Sequence, residues 1–179
     1  MLDAATTVIA RRGYHAARVD DIVKGAKTSH GTFYLYFDNK EALFSALAGE
    51  VATEMESLID RFPAFGPNAE GEAALRGWLD EFAAHYRRSG PVLRAWTEAE
   101  IAGDAVSEIG ATATVRFVDA LADRFRAGGA PSVDAHGAAT AVVAMIERSH
   151  YYLLTGQLDV SDAEMTETLT RVTHAAVYG

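Results

Sequence analysis

The residues of this chain best suited to chemistry with another molecule are crowded between positions 29 and 37, which read Ser29-His30-Gly31-Thr32-Phe33-Tyr34-Leu35-Tyr36-Phe37. If the segment is a short helix, Phe33 and Phe37 lie one turn apart on one face and the other side chains point away from it. That outer side carries hydroxyls, an imidazole, one residue without a side chain and the apolar Leu35. Hydroxyl and backbone donors suit phosphate oxygens, whereas His30, Thr32 and Leu35 are of types that touch base edges or a thymine methyl. Taken alone, a short helix with Phe and Tyr is more often core with a wet rim.

Other chemistry has little to stand on. The six histidines, His15, His30, His85, His136, His150 and His174, are scattered, and there is no cysteine. No HExxH pair and no Gly-rich phosphate loop after a strand occurs, so no catalytic residue, metal ligand or cofactor is expected. Glu147-Arg148-Ser149-His150 reads most simply as a helix surface. With no secretory signal and no 18-residue apolar run, a soluble cytoplasmic protein without a membrane role is expected.

The net charge is −9 over 179 residues, which by itself argues against a polyanionic partner. The charge is unevenly spread. Residues 1–50 hold six Lys/Arg and six Asp/Glu, so the remaining 10 against 19 carry the whole −9. A neutral, locally basic head on an acidic body suggests two tasks.

The elements that must position residues 29–37 read as helices throughout, and 49% hydrophobic residues are enough for a core. A first helix buries Leu2, Ala5, Val8 and Ile9 and stops at Gly13. Val19 to Ala26 places Val19, Ile22, Val23 and Ala26 on one face. After a turn at Lys27 to Ser29 comes the Phe33 helix, with Ser29 placed to cap it and point its N-terminus at phosphate or base edges. Two short apolar stripes packed across such a turn make a helix-turn-helix. A longer helix runs from Asn39 to about Phe62 and links head to body. Helices are then expected at Glu70–Arg88, Pro91–Ala102, Asp104–Ala127, Asp134–Thr155 and Ser161–Tyr178, about nine in all. Asp134 is a candidate N-cap, and Ser161 with Glu164 a capping box.

Residues 29–37, followed by Asn39-Lys40-Glu41-Ala42-Leu43-Phe44, resemble the recognition helix and next helix start of the tetracycline-repressor family. With Ala4-Ala5, Gly13-Tyr14 and Val19 to Ala26, the resemblance covers about residues 2–48. It implies an all-α regulator with a three-helix DNA-binding domain at 1–48 and a helical effector-binding and dimerisation domain at 49–179. It implies that Thr32, Tyr34 and Tyr36 meet DNA and that Lys40 grips a phosphate, with Phe33 and Phe37 structural. Arg18, Lys27, Thr28, Ser29, His30, Gly31 and Leu35 complete the expected DNA-binding set.

The chain also departs from the family pattern. Ala26-Lys27-Thr28-Ser29 stands where Ala-Gly-Val-Ser is usual, so a side chain is expected in a left-handed turn, at a cost of order 1 kcal/mol that Lys27 could offset at a phosphate. Ala17-Arg18 stands where Thr or Ser is common before the second helix, so Arg18 would supply charge where a cap is missing. The family's basic arm before the first helix is absent, which leaves open whether residues precede Met1.

In family members the last two helices pair with a second subunit, so the stripes Val142, Ile146, Ser149, Leu153 and Met165, Leu169, Val172, Ala176 are the expected homodimer interface, suited to a palindromic operator. The middle helices collect Trp78, Phe82, Tyr86, Trp96, Phe117, Leu121, Phe125, Met145 and Tyr151, which read first as core. The resemblance implies an effector cavity there for a small, largely apolar or aromatic molecule, with Glu100 or His150 as polar anchor. Repression of an operator, released when the effector shifts the linking helix, is the implied mechanism. The rival readings are a helical protein-interaction module without DNA binding and, less well supported, a small-molecule enzyme.

Overall fold

The computed structural model describes residues 1–64, 66–100, 105–128 and 134–178, with side chains for all of these except 97–100, 105–107 and 109. Nine helices and no strands occur among the described residues: α1 (Leu2–Arg12), α2 (Val19–Gly25), α3 (His30–Tyr36), α4 (Lys40–Asp60), α5 (Ala69–Arg88), α6 (Gly90–Glu100), α7 (Ala105–Ala127), α8 (Ala135–Leu154) and α9 (Asp162–Tyr178). The all-α expectation holds, and helix ends fall within two residues of those read from caps and breaks.

The caps show why. Asn39 accepts the Ala42 amide at 2.7 Å and so starts α4 one residue later than expected. Asp134 accepts the amides of His136 and Gly137. Ser161 and Glu164 form the reciprocal box, the Glu164 amide donating to the Ser161 hydroxyl and the Ser161 amide to the Glu164 carboxylate. The break between α5 and α6 is shorter than Ser89-Gly90-Pro91 suggests. Pro91 occupies an early helical position, where its missing N–H is no loss, so α6 restarts after Ser89 alone.

The chain forms two compact units, Met1–Glu54 with Arg88–Ala111, and Met55–Arg87 with Thr112–Gly179. The first unit reaches beyond the expected 1–48 head. Its core joins Ala5 and Ile9 of α1, Ile22 and Val23 of α2, Phe33 of α3 and Leu43, Phe44, Leu47 and Val51 of α4 with Val92, Ala95 and Trp96 of α6. Val92, Ala95 and Trp96 recur three and four apart, so α6 has an apolar stripe, and α1 packs against α6. Leu2 and Val8, expected inside, are only partly buried.

In the second unit Leu58, Ile59 and Phe62 join Leu75, Leu79 and Phe82 of α5, Phe117, Leu121 and Phe125 of α7, Val142, Val143 and Ile146 of α8 and Leu169 and Val177 of α9 among the buried residues. No helix among the described residues is long and apolar enough to cross a membrane.

Candidate nucleic-acid interface and aromatic core

The turn between α2 and α3 sets how α3 is presented. The Thr28 amide donates to the Val23 carbonyl at 2.9 Å and the Lys27 amide to the Lys24 carbonyl at 3.2 Å, which is a Schellman closure of α2. Its left-handed position is held by Lys27, at φ 52°, the one described non-glycine residue with positive φ. The side chain expected in a left-handed turn is there. At the end of α8 the same pair of bonds, from Gln157 to Tyr152 and Gly156 to Leu153, has a glycine at that position.

Beyond the turn, Ser29 is the N-cap of α3 and accepts the Thr32 amide at 3.1 Å. The two hydroxyls of Ser29 and Thr32 lie 3.0 Å apart. Phe33 is fully buried and Phe37 packs on the core, so both are structural as expected. Tyr34, Leu35 and Tyr36 are 57%, 78% and 70% exposed, which is unusual for three large apolar side chains in succession.

The charges around α3 are sorted by pairing. Asp20 lies 3.0 Å from His30, and Asp21 lies 3.2 Å from Arg12. Both carboxylates of α2 thus face a basic group of the same unit. Arg18, Lys24 and Lys27 are exposed. Arg18 occupies the N-cap of α2 without a side-chain cap bond, so the cap is missing as expected. Lys24 was not singled out by the sequence; its signal was the basic residue in the last turn of α2, one turn before Lys27.

Lys40 stands apart from the rest of the expected DNA-binding set. Its ammonium donates to the carbonyls of Tyr14, His15 and Ala17 at 3.1, 3.5 and 3.3 Å. It also lies 4.5 Å from the centre of the Tyr14 ring. Where a phosphate grip was expected of it, this side chain ties the α1–α2 loop to the start of α4, because three carbonyls converge there and an ammonium has three donors.

The second unit gathers most of the expected aromatic set. The Trp78 ring lies 5.4 Å from Phe82 and 5.5 Å from Phe117, and Phe82 lies 5.8 Å from Tyr86 and 5.0 Å from His150. The Trp78 indole N–H donates to the Leu58 carbonyl at 2.9 Å. Leu121 and Phe125 are fully buried, while Met145 and Tyr151 are half-buried. Tyr151 has the Arg148 guanidinium over its ring. Trp96 belongs to the other unit, buried with Val92 and Ala95, and its indole nitrogen has no hydrogen-bond partner among the described residues. The side chain of Glu100 lies outside the described residues.

His150 is the polar centre of this core. Its Nδ1 lies 2.7 Å from the Ile146 carbonyl oxygen. A carbonyl only accepts, so Nδ1 carries the proton and Nε2 is the acceptor of the neutral ring. Burial holds the imidazole pKa below its ordinary value, against weaker opposing effects of the Ile146 bond and Asp162. The neighbouring Tyr86 phenol, 5.6 Å away, is pushed up by burial and then by Glu147, so it remains a neutral donor.

The stripes expected at a dimer interface divide in two. Val142, Ile146 and Leu169 are buried within the single chain. Ser149, Leu153 and Met165 are half-buried, and Val172 and Ala176 are exposed. The outward apolar side chains of these helices include Ala141, Ala144 and Tyr152 on α8 with Val172, Ala175 and Ala176 on α9. The four-three-four spacing located an apolar stripe but not what covers it.

Comparison with known proteins bears on residues 1–47 most directly, which match the family model described as bacterial regulatory proteins, tetR family. The HTH-type transcriptional regulator EthR of Mycobacterium tuberculosis (strain H37Rv) is 29% identical over 188 residues, covering 100% of this chain and 86% of EthR. Among solved structures, the TetR family transcriptional regulator PfmR of Thermus thermophilus aligns with a TM-score of 0.77 at 16% identity, over 97% of this chain and 96% of PfmR. The transcriptional regulator FadR of Bacillus subtilis, solved in complex with stearoyl-CoA, aligns with a TM-score of 0.72 at 19% identity, over 99% and 97% of the two chains. These two share the fold.

Proposed function

The chain belongs to the tetR family of bacterial regulatory proteins and is a helix-turn-helix transcriptional regulator, and on that premise we propose that it is a homodimeric repressor released from a palindromic operator by a small, largely apolar effector. The observation that carries the DNA side is the pairing of a fully buried Phe33 with exposed Tyr34, Leu35 and Tyr36 on one short, capped helix. Residues 1–48 act as the DNA-binding domain and 49–179 as the effector and dimerisation domain. Arg18, Lys27, Thr28, Ser29, His30, Gly31, Thr32, Tyr34, Leu35 and Tyr36 form the operator surface, and Lys24 joins them.

The effector site is the aromatic core around Phe82, with Phe117 and Tyr86 as walls. His150 Nε2 and the Tyr86 hydroxyl are its polar anchors, one acceptor and one donor among apolar walls. The ligand of the Bacillus subtilis FadR structure, stearoyl-CoA, belongs to that protein and supports a ligand with a long apolar part for this one. The dimer forms through Ala141, Ala144, Tyr152, Val172, Ala175 and Ala176, the apolar side chains that α8 and α9 leave outward. An effector that favours one position of α4 changes the spacing of the two recognition helices, and a few kcal/mol of differential affinity is enough. The protein works in the cytoplasm and catalyses no reaction.

The test is selection of bound duplexes from a random library by the purified protein, followed by gel shift across a salt series and against a panel of acyl-CoAs, fatty acids and aromatic compounds. The expected result is a palindromic site whose affinity falls steeply with salt and which one class of compound releases. A protein that enriches no sequence loses the DNA-binding reading, and one whose site no compound releases loses the effector reading alone.

A further inference from the structure

The DNA-binding reading leaves open what α3 reads, and its outer surface narrows the answer. At 3.6 residues per turn, Gly31 and Leu35 each lie about 160° around the axis from the buried Phe33, on either side of the outermost line of the helix. Tyr34 and Thr32 fall to the two flanks. Leu35 is the most exposed of the large hydrophobic side chains among the described residues, at 78%.

The composition of that surface excludes the usual base contacts. From His30 to Tyr36 there is no Arg or Lys to grip guanine at two points and no Asn or Gln to do the same for adenine. His30 is held by Asp20, and the Thr32 hydroxyl lies against Ser29. What stands furthest out is a branched aliphatic group. In the major groove its one complementary feature is the 5-methyl of thymine, since every other base edge there presents donors and acceptors that Leu35 would desolvate without replacement.

The approach is sterically open. A Cβ at Gly31 would meet nothing nearer than the Ser29 hydroxyl oxygen at 3.7 Å, an ordinary contact, and Gly31 has no positive φ. Alanine there suits the fold and the helix. The missing side chain leaves room one turn from Leu35, on the surface that would face the groove floor. Exposed Arg18, Lys24 and Lys27 supply the cations a phosphate backbone requires, while the two α2 carboxylates are paired.

Resting on the DNA-binding reading, we propose that Leu35 is the specificity-determining residue of this chain and reads thymine methyl groups in the major groove, with Gly31 providing the clearance for α3 to reach them.

The experiment uses the duplex selected by the wild-type protein, remade with uracil for thymine one position at a time, which removes only the methyl. Binding is expected to weaken about four-fold at one or two positions of each half-site, the effect of one methyl group transferred from water. Leu35→Ala should bind thymine and uracil duplexes alike at those positions, while retaining wild-type melting and salt-dependent binding to unselected DNA. Gly31→Ala should melt at or above the wild-type temperature and yet bind the selected duplex at least several-fold more weakly. Uracil substitution without effect at every position overturns the proposal, as does a Leu35→Ala protein that still discriminates, or a Gly31→Ala protein that binds as wild type. Selection that enriches no sequence overturns the DNA-binding reading beneath it, and selection of half-sites without thymine overturns this proposal only.

Discussion

Lys40 places its ammonium 4.5 Å from the centre of the Tyr14 ring and donates a 3.1 Å hydrogen bond to the carbonyl oxygen of the same tyrosine. One side chain from the start of α4 thus holds a loop 26 residues earlier in the chain. Lys40→Met keeps the aliphatic stem and removes the donors. It is expected to destabilise the protein by about 1.5–3 kcal/mol, the range for hydrogen bonds to charged groups, read as a lower denaturant midpoint. An unchanged midpoint with a salt dependence of DNA binding reduced by about one counterion would return Lys40 to the phosphate role.

Lys27 gives the opposite sign. At φ 52° it occupies the position that Gly156 fills in the equivalent closure of α8. Lys27→Gly is expected to raise stability by about 1 kcal/mol by removing the left-handed penalty of a residue with a Cβ. The same change removes an exposed cation beside α3, so the slope of log affinity against log salt should flatten by about one unit. Thermal melting and a salt titration of the same variant check both halves. A destabilised variant would mean that the stem of Lys27 packs more than its exposure suggests.

His150 makes stability depend on acidity. Its folded pKa lies below the ordinary 6.5 because burial disfavours the cation. In the unfolded chain the ring takes up a proton near 6.5, whereas in the folded chain it does so only at lower pH. The contribution is therefore fully present above about 6.5, lost as pH falls from there through the depressed folded value, and constant below it. His150→Gln has no such proton, and the acid-side slope of its melting temperature should be shallower in that window. Parallel curves for the two proteins would rule out this residue as the source.

Val172 and Leu169 separate the proposed dimer face from the buried side of α9. Val172 is 46% exposed and Leu169 2%. Val172→Arg should fold with near wild-type helicity and sediment as a monomer at micromolar concentrations. Leu169→Arg should fail to fold, since a charge introduced among buried groups has no partner. A Val172→Arg protein that remains dimeric moves the interface away from this face.

What the residues alone determined is what rests on neighbours within about one turn. The Ser29 cap, the Asp134 cap and the Ser161–Glu164 box are all interactions between positions two or three apart, so residue type and spacing carry the whole signal, whereas the left-handed Lys27 was expected only from the family's usual turn. Phe33 and Phe37 against Tyr34, Leu35 and Tyr36 were legible for the same reason, because helical periodicity fixes which side chains share a face. Tertiary structure decided where each face goes. Nothing local to Lys40 announces three carbonyls at positions 14, 15 and 17, and nothing in Val92, Ala95 and Trp96 says that they pack in a core with Ala5 and Ile9. Val142, Ile146 and Leu169 show an apolar stripe as clearly as any dimer seam would, and only the three-dimensional packing reveals that it is already buried in the single chain. Periodicity gives a face its direction, but the element that buries it lies tens of residues away, at a distance along the chain over which spacing carries no information.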